Sequence, residues 1–130
     1  IVPLNVTNYA ILTDEVIDQI TDQEYNTFTP LIRPIYDYYA EAYQELVLGI
    51  EGAPFHDVVT LVALTNPELF DFVEREVTVV DDPSVRGLSV ADFRPLSAEE
   101  EASIEGAQIA MDFNYDEYIN IFIQVMKMEF

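Results

Sequence analysis

Gly52-Ala53-Pro54-Phe55-His56-Asp57-Val58-Val59 is the stretch on which the reading of this chain turns. Gly52 and Pro54 mark a tight loop. Behind it, Val58, Val59, Leu61, Val62, Ala63 and Leu64 are apolar on nearly every side, which predicts a buried helix. The chain's one histidine and an adjacent carboxylate thus stand at the mouth of a core helix. Asp57 has two readings from its residue type. It can give oxygen ligands to a hard divalent cation, or cap the helix by accepting the free N–H groups of the residues that follow. His56 also has two: a side chain that titrates near neutrality and shares a proton with a leaving group, or a satisfied structural residue beside an apolar run.

Composition narrows the classes. A chain of 130 residues that is 50% hydrophobic can bury one core, and a single domain over residues 1–130 is expected. Against 25 acidic residues stand 5 basic ones, a formal charge of −20. That balance disfavours phosphate-mediated nucleic-acid binding and docking on an anionic membrane. No cysteine is present, so disulfides and thiolate metal sites are excluded. No apolar run approaches the length of a membrane span. An enzyme, a non-catalytic α/β interaction module and an acidic binder of a basic protein remain.

Along the chain, Ile1 to Val6 reads as a strand buried on both faces of a parallel sheet. Thr13 caps a helix from Asp14 to Ile20 whose first turn is acidic, and Thr21-Asp22-Gln23-Glu24 carries a second capping-box pattern. The longest helix is predicted over Leu31 to Leu48, with Ile35, Tyr39, Ala42, Tyr43 and Leu46 on its core face. Its tyrosines read mainly as packing, and Tyr43, near the end that runs into the His-Asp loop, is the one chosen to line a ligand pocket. Asn66-Pro67 opens a short turn. Phe72 to Val80 and Leu88 to Phe93 read as antiparallel strands joined through Asp81-Asp82-Pro83-Ser84. Ser97 to Glu105 is an acidic loop or single helical turn. Gln108 to Phe113 is a last strand, and Tyr115 to Met128 a closing helix that buries Tyr118, Ile119, Phe122, Ile123 and Met126.

Read with its flanks, the loop resembles the C-terminal part of an inosine-uridine-preferring nucleoside hydrolase. Four stretches carry the resemblance: Val2-Pro3-Leu4-Asn5-Val6-Thr7 with Ala10 and Thr13, the tyrosine-rich helix through Tyr43, Gly52 to Asp57 leading into Pro67-Glu68-Leu69, and Arg86-Gly87 entering Leu88-Ser89-Val90. Their order and spacing match over nearly the whole chain. The chain departs from the family's pattern at Val58, where proline is usual, and at Asn5 and Asn8, where the family usually has Asp and His.

The resemblance implies an α/β fold: the C-terminal part of an open, mainly parallel sheet with helices, plus antiparallel strands after residue 71. It implies that Asp57 is a ligand of a calcium ion and that His56 protonates the departing nucleobase; Tyr43, by its place on the long helix, is the residue expected to line the substrate's base pocket. In the parent reaction a calcium-bound water attacks the anomeric carbon of a ribonucleoside. The family's Asp-x-Asp-x-Gly-x-Asp-Asp cluster, which supplies the remaining carboxylates, does not occur in this sequence, and one aspartate is too few for an ion that takes six to eight oxygens. The expectation is therefore an N-terminal portion of the same enzyme, or a second chain, that carries the cluster, with the isolated chain inactive. A homo-oligomer in the cytoplasm is expected, with secretion as the alternative.

Overall fold

A computed structural model of the chain describes residues 1–129. Its described residues form six α-helices and six strands. In chain order they are α1 (Leu4–Thr7), β1 (Ile11–Leu12), α2 (Asp14–Thr21), α3 (Thr29–Leu46), β2 (Ala53–Pro54), α4 (His56–Thr65), β3 (Phe70–Arg75), β4 (Val77–Val79), β5 (Ser89–Ala91), α5 (Ala98–Ala102), β6 (Ala107–Phe113) and α6 (Tyr115–Met126).

The described strands form three antiparallel pairs: β1 with β2, β3 with β6, and β4 with β5. Antiparallel pairing after residue 71 is thus as expected, with two differences in detail. The predicted Phe72–Val80 strand is broken at Glu76, and its first half pairs with β6 rather than with the Leu88 segment. The β3–β6 ladder also slips between Asp71 and Phe72, a bulge that twists the pair.

The strand expected from Ile1 to Val6 is instead a single helical turn after Pro3. The Pro3 carbonyl accepts the amides of Val6 and Thr7 at 2.9 and 3.0 Å, which closes the turn and ends any extended run. Ile1 alone keeps sheet character. Its nitrogen donates to the Gln108 carbonyl at 2.7 Å, and its carbonyl accepts from Ala110 at 2.9 Å. Bonding to the residues on either side of Ile109 is the parallel pattern, so the expected direction survives at this one point.

Thr13 caps α2 as expected, accepting from the Val16 amide. The second capping box at Thr21 starts no helix: Asp22 closes α2 and accepts the Tyr25 hydroxyl, while Asn26 and Thr29 organise the turn into α3. On α3 the buried face is rotated by about one residue from the predicted stripe. Tyr36 and Ala40 are buried and Tyr39 and Tyr43 half-buried, whereas Ile35, Ala42 and Leu46 are exposed. Apolar residues wrap nearly half of α3, so periodicity alone did not fix its orientation. The Tyr36 hydroxyl, bonded to the buried Leu12 carbonyl at 3.2 Å, does.

The core joins Leu12, Ile17, Ile20, Tyr36, Val59, Ala110 and Tyr118 across β1, α2, α3, α4, β6 and α6. Helix α4 buries Val59, Val62 and Ala63, but Leu61 and Leu64 are 64% and 80% exposed, so it is not the all-round buried helix expected. The closing helix buries Tyr118 and Phe122 and half-buries Ile119, Ile123 and Met126. Arg33 ties α3 to α2 by pairing with Asp14 at 2.9 Å and with Asp18, and it also meets Asp37 one turn on.

Candidate active site

The His-Asp loop is set by the β1–β2 pair. Gly52, at φ +112°, turns the chain into β2 so closely that a Cβ there would sit 2.1 Å from the Leu12 carbonyl oxygen, and only glycine meets both demands. The Phe55 amide then donates to the Ala10 carbonyl at 3.0 Å, and the chain enters α4 with His56 and Asp57 in its first turn. Phe55, not Asp57, occupies the cap position, and it makes no side-chain cap bond. The Asp57 carboxylate is exposed and has no hydrogen-bond partner among the described residues. Its position suits an anion, because a helix start offers free N–H groups and the positive end of the dipole.

His56 is held at both ring nitrogens. Nε2 lies 2.8 Å from the Tyr43 hydroxyl and Nδ1 2.7 Å from Thr7 Oγ1. Three helices therefore converge on one imidazole: α1 through Thr7, α3 through Tyr43, and α4 through His56 itself. The ring is half-buried, with Thr7 on its enclosed side. His56, Asp57, Val58, Phe55, Tyr39 and Ile35 line a concavity of about 260 Å³. An aromatic run backs it. The Tyr39 ring meets Tyr43 edge-on at 5.0 Å and Phe55 at 5.5 Å, and Tyr43 lies 6.2 Å from the His56 ring. Burial, the neighbouring Tyr43 hydroxyl and the Asp57 charge push the Tyr39 hydroxyl up to about 12, so it stays protonated at neutral pH.

The three residues chosen from the sequence are thus neighbours. His56 and Asp57 face the concavity, and Tyr43 reaches it through His56. Thr7, which completes the grip on the histidine, was not singled out. It is 49 residues away, and no local pattern joins a threonine at the end of one turn to a histidine at the start of another.

With this geometry in place, the chain can be set beside known proteins. The family model described as inosine-uridine preferring nucleoside hydrolase matches residues 1–120. The chain belongs to that family. A pyrimidine-specific ribonucleoside hydrolase, RihA, of Escherichia fergusonii is 26% identical to this nucleoside hydrolase chain over 103 residues, which are 78% of the chain and 32% of RihA. Among solved structures, the purine-preferring ribonucleoside hydrolase from Gardnerella vaginalis superposes with a TM-score of 0.78 at 19% identity, covering 97% of this chain and 38% of that one. A plant nucleoside hydrolase gives the same TM-score at 17% identity, covering 95% and 39%. These likenesses establish the α/β nucleoside hydrolase fold. The chain spans about a third of the length of the curated relatives it matches.

The donor set also tests the calcium expectation. Among the described residues no group of three or more His, Asp or Glu side chains could hold a metal. Asp57, with its carboxylate unengaged, fits as one ligand of a hard cation but falls well short of six to eight oxygens. These residues alone do not make a calcium site. Among the described residues, no helix is long and apolar enough to cross a membrane.

Proposed function

We propose that this chain is the C-terminal portion of a cytoplasmic N-ribohydrolase that cleaves the bond between ribose and nucleobase in ribonucleosides. The observation that carries the reading is His56, held at its two ring nitrogens by Thr7 and Tyr43 while it lines a concavity together with Tyr39 and Phe55. Breaking a C–N glycosidic bond is slow because the base departs as a poor anion. A positioned N–H that shares its proton with the base as the bond breaks contributes typically about 10² to 10⁴ in rate. His56 does this from Nε2. Tyr43 occupies that nitrogen in the free site and gives way to the base, while Tyr39 and Phe55 offer flat apolar faces to it. Asp57 contributes one ligand to a calcium site completed by carboxylates from outside this chain.

Nucleoside binding tests the reading without requiring turnover. Titrating inosine and uridine into the ¹⁵N-labelled chain should shift the resonances of Tyr39, Tyr43, Phe55, His56 and Asp57 and leave the β4–β5 ribbon unmoved. Saturating nucleoside that moves none of them would defeat it. The outward Leu61 and Leu64, on the same face of α4 as Asp57 by helical spacing, favour a second reading as a non-catalytic interaction module. That reading predicts no nucleoside response at His56.

A further inference from the structure

Thr7 is 2% exposed, and among the described residues its hydroxyl has one hydrogen-bond partner, His56 Nδ1 at 2.7 Å. A threonine in a helical turn commonly returns its proton to the carbonyl four residues back, which here is Pro3. That oxygen already accepts two amides, Val6 at 2.9 Å and Thr7 at 3.0 Å, so both of its lone pairs are engaged. A buried hydroxyl left without an acceptor loses its hydration with no return. For the Thr7 proton the acceptor at hand is Nδ1.

From this geometry we infer that Thr7 is a positioning residue: it donates to Nδ1 and thereby fixes the neutral His56 ring as the Nε2–H tautomer, its proton aimed at Tyr43. A neutral imidazole carries one N–H, so a ring that accepts at Nδ1 must donate at Nε2. The Tyr43 oxygen, 2.8 Å away, accepts that bond in the free site. The consequence for chemistry rests on the reading of His56 as the group that faces the leaving base. The ring then presents an N–H rather than a lone pair to the base nitrogen, the form from which a proton can be shared as the C–N bond breaks. The opposite tautomer would present a lone pair to the departing base and repel the charge building there.

The sequence contains a single histidine, so the imidazole ¹⁵N signals of the labelled chain assign themselves. Recorded at about pH 8.5, above the ordinary imidazole pKa, the wild type should show Nε2 bearing hydrogen and Nδ1 as a bare, accepting nitrogen. Thr7→Val keeps the shape and removes the donor, and the two ¹⁵N shifts should move toward each other as the tautomers mix. Thr7→Ser should restore the separation, which a purely packing role would not require. Tyr43→Phe should leave Nε2 protonated, since the tautomer is set from the Thr7 side; this keeps the inference testable if Thr7→Val does not fold. An Nδ1–H signal in the wild type, unchanged shifts in folded Thr7→Val, or a tautomer switch in Tyr43→Phe would each overturn it. None of these spectra depends on nucleoside, so failure here is separable from failure of the hydrolase reading.

Discussion

Tyr118→Phe should make this protein more stable, against the usual direction for a core substitution. The Tyr118 side chain is fully enclosed, packed against Phe113, Tyr115 and Phe122 at ring distances of 5.7, 6.4 and 6.5 Å, and its hydroxyl has no hydrogen-bond partner among the described residues. A buried hydroxyl without a partner costs about 1–3 kcal/mol relative to water. Removing the oxygen forfeits only a few dispersion contacts, each worth about 0.1–0.2 kcal/mol. The net expectation is a gain of about 1–2 kcal/mol, which for a chain of this size raises Tm by roughly 3 to 5 °C per kcal/mol. Alkaline pH supplies a second signature. Burial, with a smaller push from Tyr115, raises the Tyr118 hydroxyl above its ordinary value, so the native state keeps a proton that the unfolded chain begins to release near pH 10. Its contribution is therefore complete below about pH 10 and is lost as pH climbs above it, at up to about 1.4 kcal/mol per unit. The Phe variant should shed less stability between pH 10 and 11 than the wild type. Thermal melts at pH 7.5 and chemical denaturation across the alkaline range read both effects. A Phe variant that melts lower, with the same alkaline slope, would refute the reasoning and show that the hydroxyl is satisfied.

Other expectations follow from the same coordinates. Gly52→Ala forces a Cβ against the Leu12 carbonyl at a positive φ, so destabilisation of at least about 2 kcal/mol should appear as an early melting transition; a melt within about 1 °C of wild type, far less than that cost implies at this chain length, would mean the loop yields easily. Because the formal charge is −20, self-repulsion opposes folding and salt screens it, so Tm should rise from low salt to about 0.15 M NaCl, and a flat or falling trend contradicts that balance. Purified chain incubated with inosine or uridine and calcium should release no ribose, and isothermal titration should find no micromolar calcium site, since among the described residues no group of three or more His, Asp or Glu side chains could hold a metal.

Local patterns made much of the fold legible, and partnership between distant elements decided the rest. The Thr13 cap, the long helix, the Gly52 turn and the closing helix each announce themselves within a few residues. The expectations that failed did so for separate physical reasons. An Ile-Val-Pro-Leu run looks extended until Pro3 accepts two amides and closes a turn. Helix α3 is apolar over too wide an arc to show which side Tyr36 will choose before Leu12 offers its carbonyl. The apolar composition of α4 concealed that Leu61 and Leu64 face outward. At the site, His56 and Asp57 stood out by chemistry and by adjacency to a helix start, and Tyr43 by lying on the helix that leads there. Thr7 carried no such mark, because a hydroxyl becomes part of a site through what it touches.

Two tyrosines hold successive carbonyls of β1: Tyr36 from α3 bonds Leu12, and Tyr115, at the start of α6, bonds Ile11 at 2.7 Å across 104 residues of chain. Each bond requires its own helix to be docked, and the β1–β2 pair leads directly into His56. During folding, then, the loop that presents the histidine cannot reach its final geometry while either end of the chain is still searching, because a closure spanning most of the sequence is among the slowest to form. The geometry of the histidine is thus a property of the whole chain: a change in α6 that releases the Ile11 carbonyl reaches His56 through the β1–β2 pair.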